Sequence, residues 1–252
     1  MLDDISLVLR GWEYKPGKLK VRRVQCPDGR TKVQVRMDLG LLQFEWSGRP
    51  DGVEPHGYAS LLDYHQAQRD RWEGQHPQAP YRLSGQDCCE LSQEAAKYYW
   101  RRVSFFELRE YARAEDDALH NLCILDLCHE CAEEEDDRRM AETHRAFVLA
   151  HRFQARALTC LTRRDYDGAL VEIRAGIGEI ERFLQGVGRA AQIEESPELG
   201  FLHQWETEVL SSRPLSRRDR LSADLQDAVA HEEFERAALL RDRLLQLGAE
   251  GP

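Results

Sequence analysis

The stretch SRRDRLSADLQDAVAHEEFERAALLRDRLLQL, residues 216–247, decides the fold at the carboxyl-terminal end of the chain. Ser216 is a candidate helix cap, and apolar residues then recur at helical spacing along two stripes. The first stripe contains Leu221, Leu225, Ala228 and Val229, and the second contains Phe234, Ala237, Ala238, Leu240, Arg241, Leu244 and Leu245. Only His231-Glu232-Glu233 separates the stripes, so the pattern predicts two antiparallel helices joined by a very short turn.

The same residues resemble a known motif. The pattern Leu221-x3-Leu225-x2-Ala228, followed by Phe234-Glu235-x-Ala237-Ala238-x2-Arg241-Asp242-x-Leu244-x2-Leu247, is similar to the UVR motif. That motif occurs at the end of UvrB, within UvrC, in McsA-type adaptors and in the middle domain of some Clp ATPases. The resemblance implies a helical hairpin for protein contact, without catalytic residues, that docks on a like hairpin or on a larger machine.

Physical reasoning also predicts a docking role for this hairpin. Two short helices have too little area to shield both apolar stripes, so these residues need another surface. Small alanines allow close helix approach, and charged neighbours supply rim contacts that select a partner. The candidate partner-binding residues are Leu221, Leu225, Phe234, Glu235, Ala237, Ala238, Arg241, Asp242 and Leu244. The alternative is that the hairpin packs permanently on the rest of its own chain.

Residues 90–187 are predicted to form four long helices, at about 90–109, 112–133, 135–162 and 167–185. Two turns in this region share one spacing, since Val103, Phe106, Tyr111 and Ala114 match Leu158, Leu161, Tyr166 and Ala169. This spacing resembles the helix-turn-helix of tetratricopeptide repeats, although the copies are 55 residues apart instead of the roughly 34 of that family. We expect a TPR-like helical bundle, and helical-repeat surfaces usually bind proteins or peptides.

Near the amino terminus the pattern changes to period two. Val33, Val35 and Met37 alternate with polar residues, and Cys26-Pro27-Asp28-Gly29 supplies a turn, which predicts a hairpin over residues 19–37. A third strand is predicted at about 41–46, before the turn Gly48-Arg49-Pro50-Asp51-Gly52. The other sheet face is expected to be solvated, and the alternative is a recognition surface near Arg49 and Asp51; this face carries Gln34, Arg36, Asp38, Gln43 and Glu45. A helix capped by Ser60 follows, and residues 39–57 resemble the front part of bacterial proteins that also end in a UVR motif.

These patterns predict a mainly α fold with a small antiparallel β element at the amino terminus. The predicted organisation is residues 1–87 with three strands and a helix, 88–187 with the TPR-like four-helix bundle, 188–215 as a connector, and 216–248 as the UVR helical hairpin. Hydrophobic residues make up 42% of the chain and charged residues 32%, which is a globular composition with a charged surface. No apolar run approaches the ~20 residues that span a bilayer, and seven cysteines favour reduced thiols, so we expect a cytoplasmic protein.

A net charge of -10 makes nucleic acid an unexpected partner for the chain as a whole. The charge is unevenly distributed, however, because residues 1–36 carry nine cations against four anions, whereas residues 107–142 carry thirteen anions against four cations. One alternative is therefore a DNA-repair accessory protein that contacts nucleic acid through its basic amino-terminal hairpin. The candidate contacts are Lys18, Lys20, Arg22, Arg23, Lys32 and Arg36.

A metal or redox site is the other alternative. Cys128-His129-Glu130-Cys131 is the only CxxC, and only Cys88 with Cys89, or His120 with Cys123, could complete a zinc site. The following Glu133–Asp137 run is expected to raise the thiol pKa values, and acidic pairs such as Asp116-Asp117 are typical of solvated helix faces. The common nucleotide, hydrolase and metalloprotease motifs do not occur in the sequence. We expect no catalytic residues, no metal ligands and no cofactor.

The sequence therefore predicts a non-catalytic adaptor that docks on a partner, or on a second copy, through its carboxyl-terminal hairpin. The expected partner is another UVR-containing protein, a repair or Clp-type machine, or the chain itself. Phe234 is the expected anchor because it is the only aromatic residue between Trp205 and the end of the sequence.

Overall fold

The computed structural model describes residues 4–214 and 217–249, so the predicted cap Ser216 lies outside the described residues, as does the side chain of Leu247. The elements in chain order are α1 (Ser6–Leu9), β1 (Val21–Gln25), β2 (Thr31–Arg36), β3 (Leu41–Glu45), α2 (Leu61–Gln75), α3 (Gly85–Glu107), α4 (Tyr111–Cys131), α5 (Glu135–Thr162), α6 (Tyr166–Gly186), α7 (Pro197–Ser212), α8 (Arg217–Ala230) and α9 (Phe234–Ala249). The predicted class, mainly α with a small antiparallel sheet at the amino terminus, is confirmed.

Contacts divide the chain into two units, Met1–Thr207 and Glu208–Pro252. The first unit holds the sheet and the helices α1 to α6, and the second holds the α8–α9 pair. The predicted segment limits of 88–187 and 216–248 stay predictions. Within the described ranges, no helix combines the length and the apolarity needed to cross a lipid bilayer.

The amino-terminal sheet is antiparallel in the order β1-β2-β3, with Val33 of β2 opposite Arg23 of β1 and Phe44 of β3. The Cys26–Gly29 turn that precedes β2 closes through the Gly29 amide, which donates to the Cys26 carbonyl at 2.9 Å. Val33, Val35 and Phe44 form the buried face and pack against Phe105 of α3. The predicted alternation therefore places the inner face of the sheet on the helical layer.

The outer face of the sheet differs from the solvated face that the sequence predicted. Gln34 is only 6% exposed, because the segment that contains Trp12 lies over it. The Arg22 guanidinium stacks 3.9 Å from the centre of the Trp12 ring and donates to the Gln34 side chain at 2.8 Å. The Arg36 Nε donates to the Trp12 carbonyl at 2.9 Å. The segment before β1 thus covers part of the sheet face that the alternating pattern predicted to be solvated.

Helix α3 begins five residues earlier than the predicted 90, because Ser84 and Asp87 form a capping box. The Ser84 hydroxyl accepts from the Asp87 amide, while the Asp87 carboxylate accepts from the Ser84 amide. Helices α3 to α6 then pack in sequence order, each against the next. At the α5–α6 contact, a Cβ added to Gly176 would lie 2.8 Å from the Cβ of Phe153, so this crossing requires glycine.

Two buried carboxylates organise the first unit, and one of them corrects a sequence-based expectation. Asp117, predicted to lie on a solvated helix face, is 2% exposed and accepts from Arg101 Nη2 at 2.6 Å and from Arg101 Nε at 2.9 Å. Arg101 also donates to the carbonyls of Glu45 and Gly48, so one ion pair joins the end of the sheet to α3 and α4. A carboxylate can be buried there because the guanidinium supplies both charge and hydrogen bonds.

Glu94 is the second buried carboxylate, with 0% exposure. It accepts from the amide of Leu61 at 2.8 Å and from that of Leu62 at 3.3 Å, which are free donors at the start of α2. Its other contacts are Arg49 Nε at 2.9 Å and His120 Nε2 at 3.0 Å. Glu94 therefore fixes α2 and the turn after β3 against α3 and α4.

One turn geometry joins α3 to α4, α5 to α6 and α8 to α9. The residue at the centre of each turn has a positive φ: Arg109 (58°), Arg164 (59°) and Glu232 (59°). The next amide donates to the carbonyl five residues earlier, from Glu110 to Phe105 (2.9 Å), from Asp165 to Cys160 (3.0 Å) and from Glu233 to Ala228 (2.8 Å). This hydrogen bond defines the Schellman motif that ends a helix.

The second helix of each pair then begins on an aromatic residue and carries a buried alanine three positions later. These pairs of residues are Tyr111 and Ala114, Tyr166 and Ala169, and Phe234 and Ala237. The carboxyl-terminal hairpin thus repeats the later part of the spacing found at the first two turns, with Val229, Phe234 and Ala237, but it has Gln226 where the other two have an apolar residue. The signal that all three turns share is an acidic residue followed by aromatic-x-x-Ala, and the Tyr-x-x-Ala pattern does not find the third because phenylalanine replaces tyrosine.

Replacing Arg164 by glycine should raise the free energy of unfolding by about 0.5–1 kcal/mol, because a side chain at positive φ costs conformational energy that glycine avoids. Urea denaturation of the full chain measures the change. Arg163, at φ -94°, is the matched control, and its replacement by glycine should be neutral or destabilising. Equal effects of the two substitutions would contradict the left-handed conformation at Arg164.

Candidate docking site

The interior of the α8–α9 hairpin is small. Ala228, Ala237 and Leu240 form its buried centre, and Leu221 and Leu225 pack against them partly buried. Alanine on both helices lets the two backbones approach closely around these few side chains. A core of this size leaves the remaining apolar residues of the hairpin outside it.

Part of the α9 stripe lies outside this interior, and we call it the outer stripe: Phe234, Ala238 and Leu245, with the charged Arg241 between Ala238 and Leu245. Its members are four, three and four residues apart, so they share one side of the helix. Ala237, Leu240 and Leu244 face α8 about a quarter turn away. Phe234 is 69% exposed and Leu245 is 67% exposed. The outer stripe is therefore an apolar surface that the hairpin itself does not cover.

The structure divides the nine predicted partner-binding residues between the interior and the surface. Leu221, Leu225 and Ala237 contribute to the interior of the hairpin, and Leu244 is half-buried. The surface residues are Phe234, Glu235, Ala238, Arg241 and Asp242, all exposed. Arg241 and Asp242 form an ion pair at 3.1 Å on this surface. The predicted set thus combines side chains that build the hairpin with side chains that a partner can reach.

Three exposed large apolar residues of the hairpin were absent from the predicted set: Val229, Leu239 and Leu245. Leu245 belongs to the outer stripe, and Val229 lies next to the turn that leads to Phe234. Leu239 lies on a different side of α9, more than a quarter turn from the outer stripe. The sequence showed an apolar stripe on each helix of the hairpin. Which residues of the α9 stripe face α8, however, depends on how the two helices are rotated about their axes, and sequence spacing does not determine that rotation.

Phe234 also differs from the aromatic residues at the two equivalent turns. Tyr111 and Tyr166 are partly buried, although all three residues begin the second helix of a pair with the same turn geometry. In the first unit, α4 packs against α5, so each helix pair has a neighbouring pair. The Tyr111 ring lies 6.3 Å from that of Phe106, at the end of the preceding helix of its own pair, whereas the ring of Phe234 is left exposed.

The candidate nucleic-acid contacts are largely engaged within the chain. Besides Arg22 and Arg36, which bind the Trp12 segment, three further cations have partners. Lys20 Nζ donates to the Glu13 carbonyl at 2.6 Å, Lys32 pairs with Glu45 at 2.6 Å, and Arg23 pairs with Glu110 at 3.4 Å. Lys18 is exposed. A phosphate would have to compete with these intramolecular contacts for five of the six cations.

The cysteines do not gather into a ligand set. Cys128 lies against Cys88, Cys123 is exposed, and His120 is bonded to Glu94. Among the residues that the structure describes, no group of three or more His, Cys, Asp or Glu side chains is placed to hold a metal ion.

The cause of the raised thiol pKa values differs from the predicted one. The hydrogen bond that the Cys128 thiol donates to Cys88, followed by burial, raises the pKa of Cys128, and burial raises the pKa of Cys131. Nearby carboxylates such as Asp137 contribute less than these causes. The same hydrogen bond lowers the pKa of Cys88.

Comparisons with curated proteins and with solved structures give no significant match to this chain. The TPR-like description of the bundle therefore stays a prediction. One family model does match, over residues 216–250, and these residues include the α8–α9 hairpin with its outer stripe. The carboxyl-terminal hairpin is a UVR motif, described as the UvrB/uvrC motif, and motifs of this kind are interaction modules.

Proposed function

We propose that this protein is a non-catalytic adaptor of the cytoplasm that docks on a protein partner through the outer stripe of its carboxyl-terminal hairpin. Phe234 is the anchor of the contact, Leu245 and Ala238 extend it along α9, and Arg241 with Asp242 forms part of its charged rim. The observation that carries this proposal is the exposed ring of Phe234 at a turn whose two other copies keep their aromatic residue partly buried.

The spacing of the outer stripe indicates the shape of the partner. Residues four, three and four apart form the seam through which one helix packs against another. The small side chain of Ala238 lies between Phe234 and Leu245, which allows a partner helix to come close at the centre of the stripe. We therefore infer a helical partner: a hairpin of another UVR-containing protein, including a repair or Clp-type machine, or a second copy of this chain.

Nucleic-acid binding through the amino-terminal sheet has less support. Affinity for a phosphate backbone grows with the number of cations that can neutralise phosphates. Five of the six candidate cations already contact carbonyl or side-chain oxygens of this chain. The net charge of -10 further opposes the approach of nucleic acid.

The test compares two exposed apolar residues on different sides of α9. Phe234→Ala should weaken partner binding about thirtyfold, because truncating an aromatic anchor at an interface costs ~2 kcal/mol. Leu239→Ala, at a residue 64% exposed but outside the outer stripe, should change binding less than about twofold. Sedimentation equilibrium of the full chain measures self-association, and affinity capture from the lysate of its own cells, followed by titration of the captured protein, measures heterologous binding.

Circular dichroism supplies the control for folding. Since Phe234 is exposed, its replacement by alanine should leave the helical signal and the melting temperature nearly unchanged. A lowered melting temperature of the whole protein with partner binding intact would show that Phe234 belongs to the core of its own chain. Equal losses from Phe234→Ala and Leu239→Ala would show that the contact does not use the outer stripe.

A further inference from the structure

A cavity of about 560 Å³ lies between α3, α4 and α5, and none of its lining residues belongs to residues 216–250, which the family model matches. Its walls are largely apolar and include Tyr99, Ile124, Leu125, Met140, Phe147 and Val148. Met140 and Phe147 are exposed and stand at the mouth, whereas Ile124 and Val148 are buried deeper inside. The volume falls within the range of about 300–1,000 Å³ typical of small-molecule sites.

The cavity lining includes a buried arginine whose guanidinium lies 5.5 Å from the centre of the Tyr99 ring but has unsatisfied hydrogen-bond donors. Arg102 is 1% exposed, and its Nε and Nη1 have no hydrogen-bond acceptor. Burial lowers the pKa of Arg102 to about 10, so the guanidinium stays protonated at neutral pH. The nearby carboxylate of Asp117 is occupied by two hydrogen bonds from Arg101. Buried charges are normally paired, so the state of Arg102 is unusual for a purely structural residue.

Two other side chains near Arg102 also have a buried polar atom without a hydrogen-bond partner. The Asn121 Oδ1, in the lining of the cavity, has no donor, although its Nδ2 donates to the Ala95 carbonyl at 3.1 Å. The buried Nδ1 of His151 is also unpartnered. Burial, together with the positive charge of Arg102, lowers the pKa of His151 to about 3, so this histidine stays neutral. Arg102 thus stays protonated in this part of the helical layer with two buried donors unsatisfied.

We propose that this cavity binds a small organic acid, a monocarboxylate with an apolar body, whose carboxylate accepts hydrogen bonds from Arg102 while the body lies against the apolar walls. Asn121 Oδ1 is open to a donor group on the same ligand. The site is separate from the docking function of the hairpin and does not depend on it.

The charge of the lining selects a monoanion over a phosphate ester. Arg102 and, at the mouth, His144 are the basic side chains among the lining residues, and Asp137 adds a negative charge. One guanidinium balances one carboxylate, whereas a phosphate monoester carries close to two negative charges at pH 7 and would leave one unbalanced between apolar walls. Apolar area supplies the remaining affinity without further polar partners.

Isothermal titration calorimetry of the full chain with octanoate and 1-octanol tests the proposal, because the two probes share an apolar chain and differ in charge. We expect one octanoate per chain, bound at least tenfold more tightly than 1-octanol. Arg102→Met should weaken octanoate binding at least tenfold and change the affinity for 1-octanol less than about threefold. The reason is that methionine keeps the bulk of the side chain but not its charge. Ala96→Phe, at an exposed small residue of the lining, should block both probes while it retains Arg102.

Thermal unfolding without ligand gives a second readout that a structural role of Arg102 would not produce. Removing an unpaired buried charge should raise the melting temperature of Arg102→Met by a few degrees, whereas removing an arginine that stabilises the fold would lower it. Octanoate that fails to bind the wild-type chain, or that binds it no more tightly than it binds Arg102→Met, overturns the proposal. A lower melting temperature for Arg102→Met assigns Arg102 to the fold and likewise overturns it.

Discussion

Replacing Asp117 by alanine should lower the free energy of unfolding by about 3–5 kcal/mol, the usual cost of removing one partner from a buried ion pair. Arg101, only 4% exposed, would then keep its charge without the carboxylate that accepts two of its hydrogen bonds. The loss should exceed that from breaking an exposed ion pair such as Arg236 with Glu233, because solvent screens charges at the surface. Urea denaturation of the full chain measures the loss in Asp117→Ala and, for comparison, the loss in Glu233→Ala.

A double variant gives the control for Asp117. Arg101→Met combined with Asp117→Leu removes both charges of this ion pair, so the double variant should be more stable than Asp117→Ala despite its two substitutions. It should remain below the wild type, because Arg101 also donates to the Glu45 and Gly48 carbonyls at 3.0 and 2.7 Å. A loss below about 1 kcal/mol for Asp117→Ala would mean that water reaches Arg101 and that the pair is not buried in solution.

Glu94→Ala is expected to cost a similar amount, about 3–5 kcal/mol, since Glu94 is fully buried and binds four groups. Without it, the amides of Leu61 and Leu62 lose their acceptor at the start of α2, and Arg49 loses its buried carboxylate. Glu94→Gln is the matched control, because the amide keeps one acceptor oxygen and the shape of the side chain but not the charge. The loss in free energy of unfolding should be clearly smaller for Glu94→Gln than for Glu94→Ala.

The same residue gives a pH dependence with a defined sign. Burial alone raises the pKa of Glu94, but hydrogen bonds from His120 and from the Leu61 amide outweigh burial and hold the pKa below its ordinary value. The unfolded chain therefore takes up a proton on this carboxylate at a higher pH than the folded chain does. Its contribution to stability is complete above the unfolded value of about 4.3 and is lost as the pH falls through the lower folded value.

Glu94→Gln should remove that part of the acid dependence. Urea denaturation between pH 3 and 6 should show stability falling less steeply with decreasing pH in Glu94→Gln than in the wild type. Parallel pH profiles would contradict a lowered pKa for Glu94. This readout does not depend on the absolute loss of stability, so it remains informative if the variant is strongly destabilised.

Much of the local structure could be predicted from the sequence because the signals are local. The strands followed from the period-two pattern around Val33, α2 from its Ser60 cap, and the four long helices from their apolar spacing. The hairpin was predicted from two stripes and a short charged turn, and its resemblance to the UVR motif is confirmed by the family match over residues 216–250. Each of these features depends on residues within a few positions of one another, which sequence spacing records directly.

The positions of the charged groups could not be predicted in this way. The sequence alone determined the three strands, α2 to α6 and the UVR hairpin; only the tertiary structure decided that Asp117 is buried with Arg101 and that Arg102 has unsatisfied donors beside a cavity. It also decided that Phe234 is exposed while Ala237 is buried. The physical reason is that helical spacing fixes which residues share a side of a helix, whereas burial and charge pairing depend on which other helix comes to face that side.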